Sequence, residues 1–272
     1  MGTVAAMTTS AETTAARLAG GILLRHEGTV AIISMDLAQP KNSFRAADVH
    51  ELLALLDEAL NAGARCVVIQ GAGPVFCAGW DIGAIDPAAD DPMAMIAGVI
   101  GPFCRRLRTL RVPTISAVAG PALGFGFGLA LCCDLCVADE DALFGSPFRQ
   151  IGMVPDTGTH HFLLQRLGPA LAAELIYTGR LLSGAEAAQL RLINKAVAKG
   201  TAAAQALELA RVIAAGPTAA LALSKEILLP GGSFDEMMAH ESRQLARVFA
   251  TADLKEGIAA FQQRRKPVFK GR

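Results

Sequence analysis

The chain has 272 residues, long enough for one large domain or a core with a smaller appendage. Hydrophobic residues make up 52% and charged residues 18%, which calls for an extensive core and leaves surface to be buried again on self-association. Lys+Arg and Asp+Glu are equal at 25 each, and there is one Trp and one Tyr. That combination offers neither the field nor the aromatic platform that nucleic acid or an anionic membrane would need.

Residues 1–20 are rich in Ala and Thr, with Arg17 as their only basic residue. They lack the apolar centre of a signal peptide and read as a flexible tail on a cytoplasmic protein. Val30–Met35 is apolar and β-rich, which predicts a strand, and a loop follows at 38–42. From about Phe44 to Asn61, Val49, Leu52, Leu53, Leu56 and Leu60 recur at helical spacing. Cys66–Gln70 reads as a second strand, and a loop through Gly71, Gly73 and Pro74 leads to Phe76-Cys77-Ala78-Gly79-Trp80-Asp81. A helix from about Met93 to Leu110 precedes a strand at Thr114–Ala119, a glycine turn at 120–126 and a helix to about Cys133. The run from Val112 to Cys133 is uncharged and long enough to cross a bilayer. Its prolines and glycines interrupt it, so a buried strand, a turn and a buried helix account for it better.

Leu135–Ala138 and Ala142–Phe144 read as short strands, and helices are expected at about Thr157–Leu167 and Leu171–Thr178. Ser183 is placed to cap a helix at 184–190, since its hydroxyl can satisfy an orphan backbone N–H. Ile193–Ala196 is a last short strand. Beyond residue 200 the pattern is helical, near 201–215, 217–228, 234–250 and 253–263, with Gly-Pro and Pro-Gly-Gly breaks between. Alternating strands and helices predict an α/β core over residues 21–200, and residues 201–272 an α-helical C-terminal region. The six cysteines lie inside apolar segments and read as reduced core residues. Cys132, Cys133 and Cys136 lack a second Cys or His pair at zinc spacing, so no metal site is expected.

Two glycine-containing segments each follow a predicted strand: Phe76 to Asp81, and Ala119-Gly120-Pro121-Ala122-Leu123-Gly124-Phe125-Gly126-Phe127-Gly128. Glycine there permits backbone conformations closed to other residues and lets a ligand approach the main chain. Freed N–H groups, particularly at a helix N-terminus, can bind an oxyanion. The second segment matches neither the dinucleotide fingerprint nor the P-loop, which needs a Lys after its last Gly. Close strand–helix packing without a ligand is the alternative for the second segment.

A family resemblance rests on these segments and others in the same order. Met35 to Asn42 resembles the early loop L-N-x-P-x-x-x-N of the enoyl-CoA hydratase/isomerase (crotonase) family, with altered spacing. Phe76 to Ile82 resembles its F-C-A-G-x-D-[LI], and Ala119 to Gly126 its glycine turn. Phe144-Gly145 to Pro155, Tyr177 to Arg180, and Arg264 to Phe269 also fit. The likeness covers about residues 22–272. It implies a spiral of ββα units with a helical trimerisation region, a homotrimer or dimer of trimers, and an acyl-CoA substrate. No separate cofactor is implied, because CoA arrives as part of the substrate.

The resemblance also assigns roles. The thioester oxygen of such substrates is held by two backbone N–H groups, which fall here on Trp80 and Phe125. Small residues are usual at both places, so the neighbouring pocket is expected to differ in shape. Hydratases of the family carry two glutamates, at positions that are Gly128 and Phe148 in this chain. Neither can move a proton. Gly152-Met153-Val154-Pro155-Asp156 resembles the G-L-V-P-D of relatives that shift double bonds, where the Asp shuttles the proton. Asp156 is therefore the expected acid–base residue; the alternative is that it caps the helix from Thr157. Lys41, Ala78, Asp81, Ile82 and Lys266 are expected to meet the CoA moiety, the lysines and Arg264 toward its phosphates. Asp81 alternatively pins its loop, and Asp134 caps or pairs. His160 and His161 are adjacent in a helix and point about 100° apart, so both cannot face one site. Ser146 lacks a hydrolase nucleophile elbow. The reading that results is an isomerase of an enoyl-CoA or cyclic acyl-CoA. The alternatives are a hydratase or lyase using Asp156 alone, and a non-catalytic CoA-binding or assembly protein.

Overall fold

The computed structural model describes residues 16–17, 21–229 and 231–272. The expected tail at 1–20 lies outside these residues, except that Ala16–Arg17 form a two-residue strand, β1, paired antiparallel with Leu23 and Leu24. Strands β2 (Ile22–Glu27) and β3 (Val30–Met35) form an antiparallel hairpin. β2 escapes the sequence reading because its second half, Arg25-His26-Glu27, is polar and only half-buried. The chain then passes through α1 (Ala46–Asn61), β4 (Cys66–Gly71), α2 (Pro92–Met95), a π-helical turn at Ile96–Ile100, and α3 (Gly101–Arg108). Next come β5 (Thr114–Val118), β6 (Pro121–Leu123), α4 (Phe125–Cys132), β7 (Leu135–Asp139) and β8 (Leu143–Gly145). α5 (Thr159–Thr178), β9 (Leu182–Ser183), α6 (Gly184–Gln189) and β10 (Lys195–Val197) complete the α/β part. The last elements are helices α7 (Ala202–Ala214), α8 (Thr218–Leu228), α9 (Phe234–Val248) and α10 (Ala252–Gln262).

Among the described residues the larger sheet has seven strands in the order β1-β2-β3-β4-β5-β7-β10, parallel from β3 onward. Its central strands are buried on both faces, which is why they read as continuous apolar runs rather than alternating ones. Val30, Ile32, Cys66, Val68, Ile115 and Val137 pack on one face against Ala206, Ala210 and Ala214 of α7. Small residues four apart let that helix sit close to the sheet. On the other face Ala31, Ile33, Val67, Ile69 and Val118 meet α1, α3, α4 and α5 in the main core.

The smaller sheet, β6-β8-β9, was half-visible in the sequence: the glycine turn at 120–126 contains a strand. The uncharged run from Val112 to Cys133 is β5, β6 and the fully buried α4. Among the described residues no single helix is long and apolar enough to cross a membrane. The two helices expected between 157 and 178 are both present within α5 and meet at Gly168, whose backbone is non-helical with φ 76°. Ser183 accepts a hydrogen bond from the Glu186 N–H at 3.1 Å, the expected cap.

Candidate active site

The loop after β4 and the β6–α4 turn are stitched together by backbone hydrogen bonds. Cys77 N–H donates to the Pro121 carbonyl at 3.1 Å, and Leu123 N–H donates to the Cys77 carbonyl at 2.9 Å. Asn42 joins the first loop to the chain before α1: its Oδ1 accepts from Leu37 N–H at 2.9 Å, and its Nδ2 donates to the Val75 carbonyl at 3.0 Å. The stitching brings Gly79 against Gly124. A Cβ on Gly124 would stand 3.8 Å from the Gly79 Cα, and one on Gly79 would stand 3.9 Å from the Phe125 nitrogen. Both glycines have positive φ, 120° and 53°, which side-chain-bearing residues rarely adopt.

The two expected oxyanion donors flank this glycine pair. Gly79 C=O and Asp81 N–H are both bonded to Phe44, at 2.9 Å each. In an extended chain the residue between them points its own N–H the other way, so Trp80 N–H faces away from Phe44. Phe125 is the first residue of α4, where N–H groups have no intrahelical acceptor. Neither N–H has an acceptor among the described residues. The side chains differ in placement. Trp80 lines the cavity beside the glycines, whereas the Phe125 ring is buried against Phe44, Trp80 and Phe103, with centroids 4.9, 5.6 and 5.7 Å away. Trp80 thus shapes the neighbouring pocket directly, whereas the Phe125 ring turns into the core with the rest of α4.

The cavity encloses about 140 Å³ and is lined by Ala78, Gly79, Trp80, Leu123, Gly124, Phe148, Asp156 and a rim of Ile, Met and Gln side chains. Asp156 is the sole titratable residue in that lining. Burial raises the proton affinity of its carboxyl from the ordinary value, and a hydrogen bond from Thr157 partly opposes the shift. The alternative of helix capping is not what the side chain does. α5 starts at Thr159 after Gly158 without a side-chain cap, and the Asp156 carboxylate accepts from Thr157 Oγ1 at 2.7 Å. Only the Asp156 carbonyl serves the helix, accepting from Thr159 N–H at 2.9 Å.

At the two positions where the resemblance implies glutamates, this chain has Phe148 and Gly128. The Phe148 ring is buried, and a Cβ on Gly124 would meet its Cζ at 3.2 Å. At Gly128 an added Cβ would lie 2.4 Å from Thr157 Cβ and 2.5 Å from the Thr157 carbonyl oxygen. Thr157 thus occupies the space into which a longer side chain at 128 would grow. It was missed in the sequence. The signal available was its place between Asp156 and Gly158, opposite a glycine in the helix that carries Phe125.

Of the residues expected to meet CoA, Ala78 and Ile82 line the cavity. Asp81 is engaged by Arg45, which donates through Nε at 2.7 Å, so it pins the loop. Lys41 is exposed beside the site, its carbonyl accepting from Ala78 N–H at 3.0 Å. Lys266 and Arg264 are exposed on the C-terminal segment and do not line the cavity. Asp134 pairs with Lys225 Nζ at 2.8 Å and accepts from Thr114. His160 and His161 are exposed on α5.

The sequence from residue 25 to 272 matches the family model described as Enoyl-CoA hydratase/isomerase. The chain belongs to the enoyl-CoA hydratase/isomerase family. Solved structures agree across nearly its whole length. An enoyl-CoA hydratase from Bacillus anthracis superposes with a TM-score of 0.85 at 31% identity, covering 93% of this chain and 100% of that one. An enoyl-CoA hydratase from Polaromonas sp. JS666 gives 0.83 at 32%, covering 92% and 100%. Enoyl-CoA hydratase EchA1 from Mycobacterium marinum gives 0.83 at 34%, covering 93% and 99%. This member of the family therefore has the crotonase fold, with its glycine pair and Asp156 on one cavity.

Proposed function

We propose that this family member shifts a carbon–carbon double bond in an enoyl-CoA or cyclic acyl-CoA. The Asp156 carboxylate removes a proton from C2 of a 3-enoyl thioester. The electron pair moves into the thioester, and the negative charge on its oxygen is met by the Trp80 and Phe125 N–H groups. Such preorganised donors each supply about 3–4 kcal/mol of transition-state stabilisation. The protonated Asp156 then returns the proton to C4, which leaves the double bond conjugated with the carbonyl. The observation that carries this reading is that Asp156 is the one titratable side chain in a lining otherwise apolar or amide-bearing. Its raised proton affinity suits a carboxyl that must hold a proton between two carbons.

The test is Asp156→Asn. Isomerisation of a 3-enoyl-CoA should fall by about 10²–10⁴-fold, with acyl-CoA binding retained. Full activity in that variant would refute the role. The solved structures described as enoyl-CoA hydratases favour a second reading, water addition using Asp156 alone. Assaying hydration of crotonyl-CoA beside isomerisation separates the two. In both readings the chain works as a homotrimer or a dimer of trimers.

A further inference from the structure

We propose that Thr157 is a positioning residue for Asp156, and that the Thr157–Gly128 contact sets where the carboxylate stands relative to the N-terminus of α4. This deepens the isomerase reading and rests on it.

Thr157 is a β-branched residue with a φ of 53°. That conformation is a genuine outlier for such a side chain and persists only where the surroundings over-determine it. The surroundings here are evident. Thr157 is 4% exposed, and its backbone and side chain lie on α4 where Gly128 leaves room. Its Oγ1 donates to Asp156 Oδ1 at 2.7 Å, so one carboxylate oxygen is fixed and the other is left for chemistry. Gly128 is on the same eight-residue helix as Phe125, three residues after it. The threonine therefore connects the base to the element bearing one of the proposed oxyanion donors. A base held across from a polarised carbonyl gains little from either part unless their separation is fixed.

The hydroxyl also acts on the charge. Burial raises the proton affinity of Asp156, and the Thr157 hydrogen bond lowers it. The Cys104 thiol of α3 feels the Asp156 charge, and Cys132 of α4 with Arg105 and Arg108 of α3 act on that thiol in turn. Removing the hydroxyl leaves these in place and takes away a stabiliser of the ionised carboxylate. The acid limb of the kcat/KM profile should then move to higher pH.

The experiment compares Thr157→Val, Thr157→Ala and Thr157→Ser with Asp156→Asn, in the full chain, on a 3-enoyl-CoA. The variants Thr157→Val and Thr157→Ala are expected to lose about 10- to 100-fold in kcat with KM within about twofold, and to shift the acid limb upward. Thr157→Ser should restore both. The Ala variant relieves the branched side chain, so it keeps the test open if Val prevents folding. Hydroxyl-free variants with wild-type kcat and pH profile, beside an inactive Asp156→Asn, would overturn the positioning role alone. An active Asp156→Asn would overturn the isomerase reading and this inference together.

Discussion

In the half-buried Asp156 carboxyl the proposed chemistry is tied to stability. Its folded-state proton affinity is raised, chiefly by burial. Below the ordinary carboxylate range both folded and unfolded chains hold the proton. As pH rises from that range through the raised value, the unfolded chain releases its proton first. The folded chain then binds more protons than the unfolded one, so stability falls over that window and stays lower above it. Asparagine carries no such cost and still accepts from Thr157. Asp156→Asn should therefore melt higher than wild type at pH 7–8, with the gain fading toward pH 4; calorimetry across that range checks it. The thiols make a contrast at the same scale. Burial pushes Cys66 and Cys77 up to about 12, which fits inert core residues. All six cysteines are free.

Among the elements, α4 and the loop before it matter most. Gly126 faces that loop: an added Cβ would lie 2.2 Å from the Cys77 carbonyl oxygen and 2.7 Å from Cys77 Cβ. Gly126→Ala would force α4 away from the loop carrying Trp80, costing about 1–3 kcal/mol in stability as overpacking does. Denaturant unfolding measures that cost, and on the proposed mechanism turnover of a 3-enoyl-CoA should fall with it, because the two proposed N–H donors separate.

Periodicity made α1 and the central strands legible, and the Gly-Pro and Pro-Gly-Gly breaks marked off the C-terminal helices. The motif order pointed to Trp80 and Asp156, which line one cavity, and to Phe125, whose nitrogen lies beside Gly79. Other features leave little trace in a one-dimensional pattern. β6 is three residues inside a glycine turn, and the π turn at Ile96–Ile100 interrupts a helix without a proline or glycine-pair signal at its start. Where Phe125 turns its ring, and that Thr157 fills the space at Gly128, depend on packing between segments distant in sequence.

At the scale of the whole molecule the C-terminal helices are the unfinished part. α9 has no buried residue, and Phe234, Leu245, Phe249, Ile258 and Phe261 are all exposed in the single chain. The segment after α10 is nonetheless fastened: Asp253 accepts from Lys270 N–H and Gly271 N–H at 2.7 Å each, and Arg65 donates to the Phe269 carbonyl at 3.1 Å. An anchored helical region with large apolar side chains in water suits contact with other copies of the chain. Light scattering on purified protein should give three or six times the 28.3 kDa chain mass; a monomer at micromolar concentration would contradict the assembly expected.

The chemistry proposed for this chain depends on one arrangement, a thioester oxygen between two main-chain donors with a carboxylate over the acyl chain. A crystal structure with an unreactive acyl-CoA analogue measures it directly. The account predicts the thioester oxygen about 2.7–3.1 Å from both the Trp80 and Phe125 nitrogens, with C2 and C4 within reach of Asp156. A carbonyl held elsewhere, or Asp156 turned away from the acyl carbons, would contradict it.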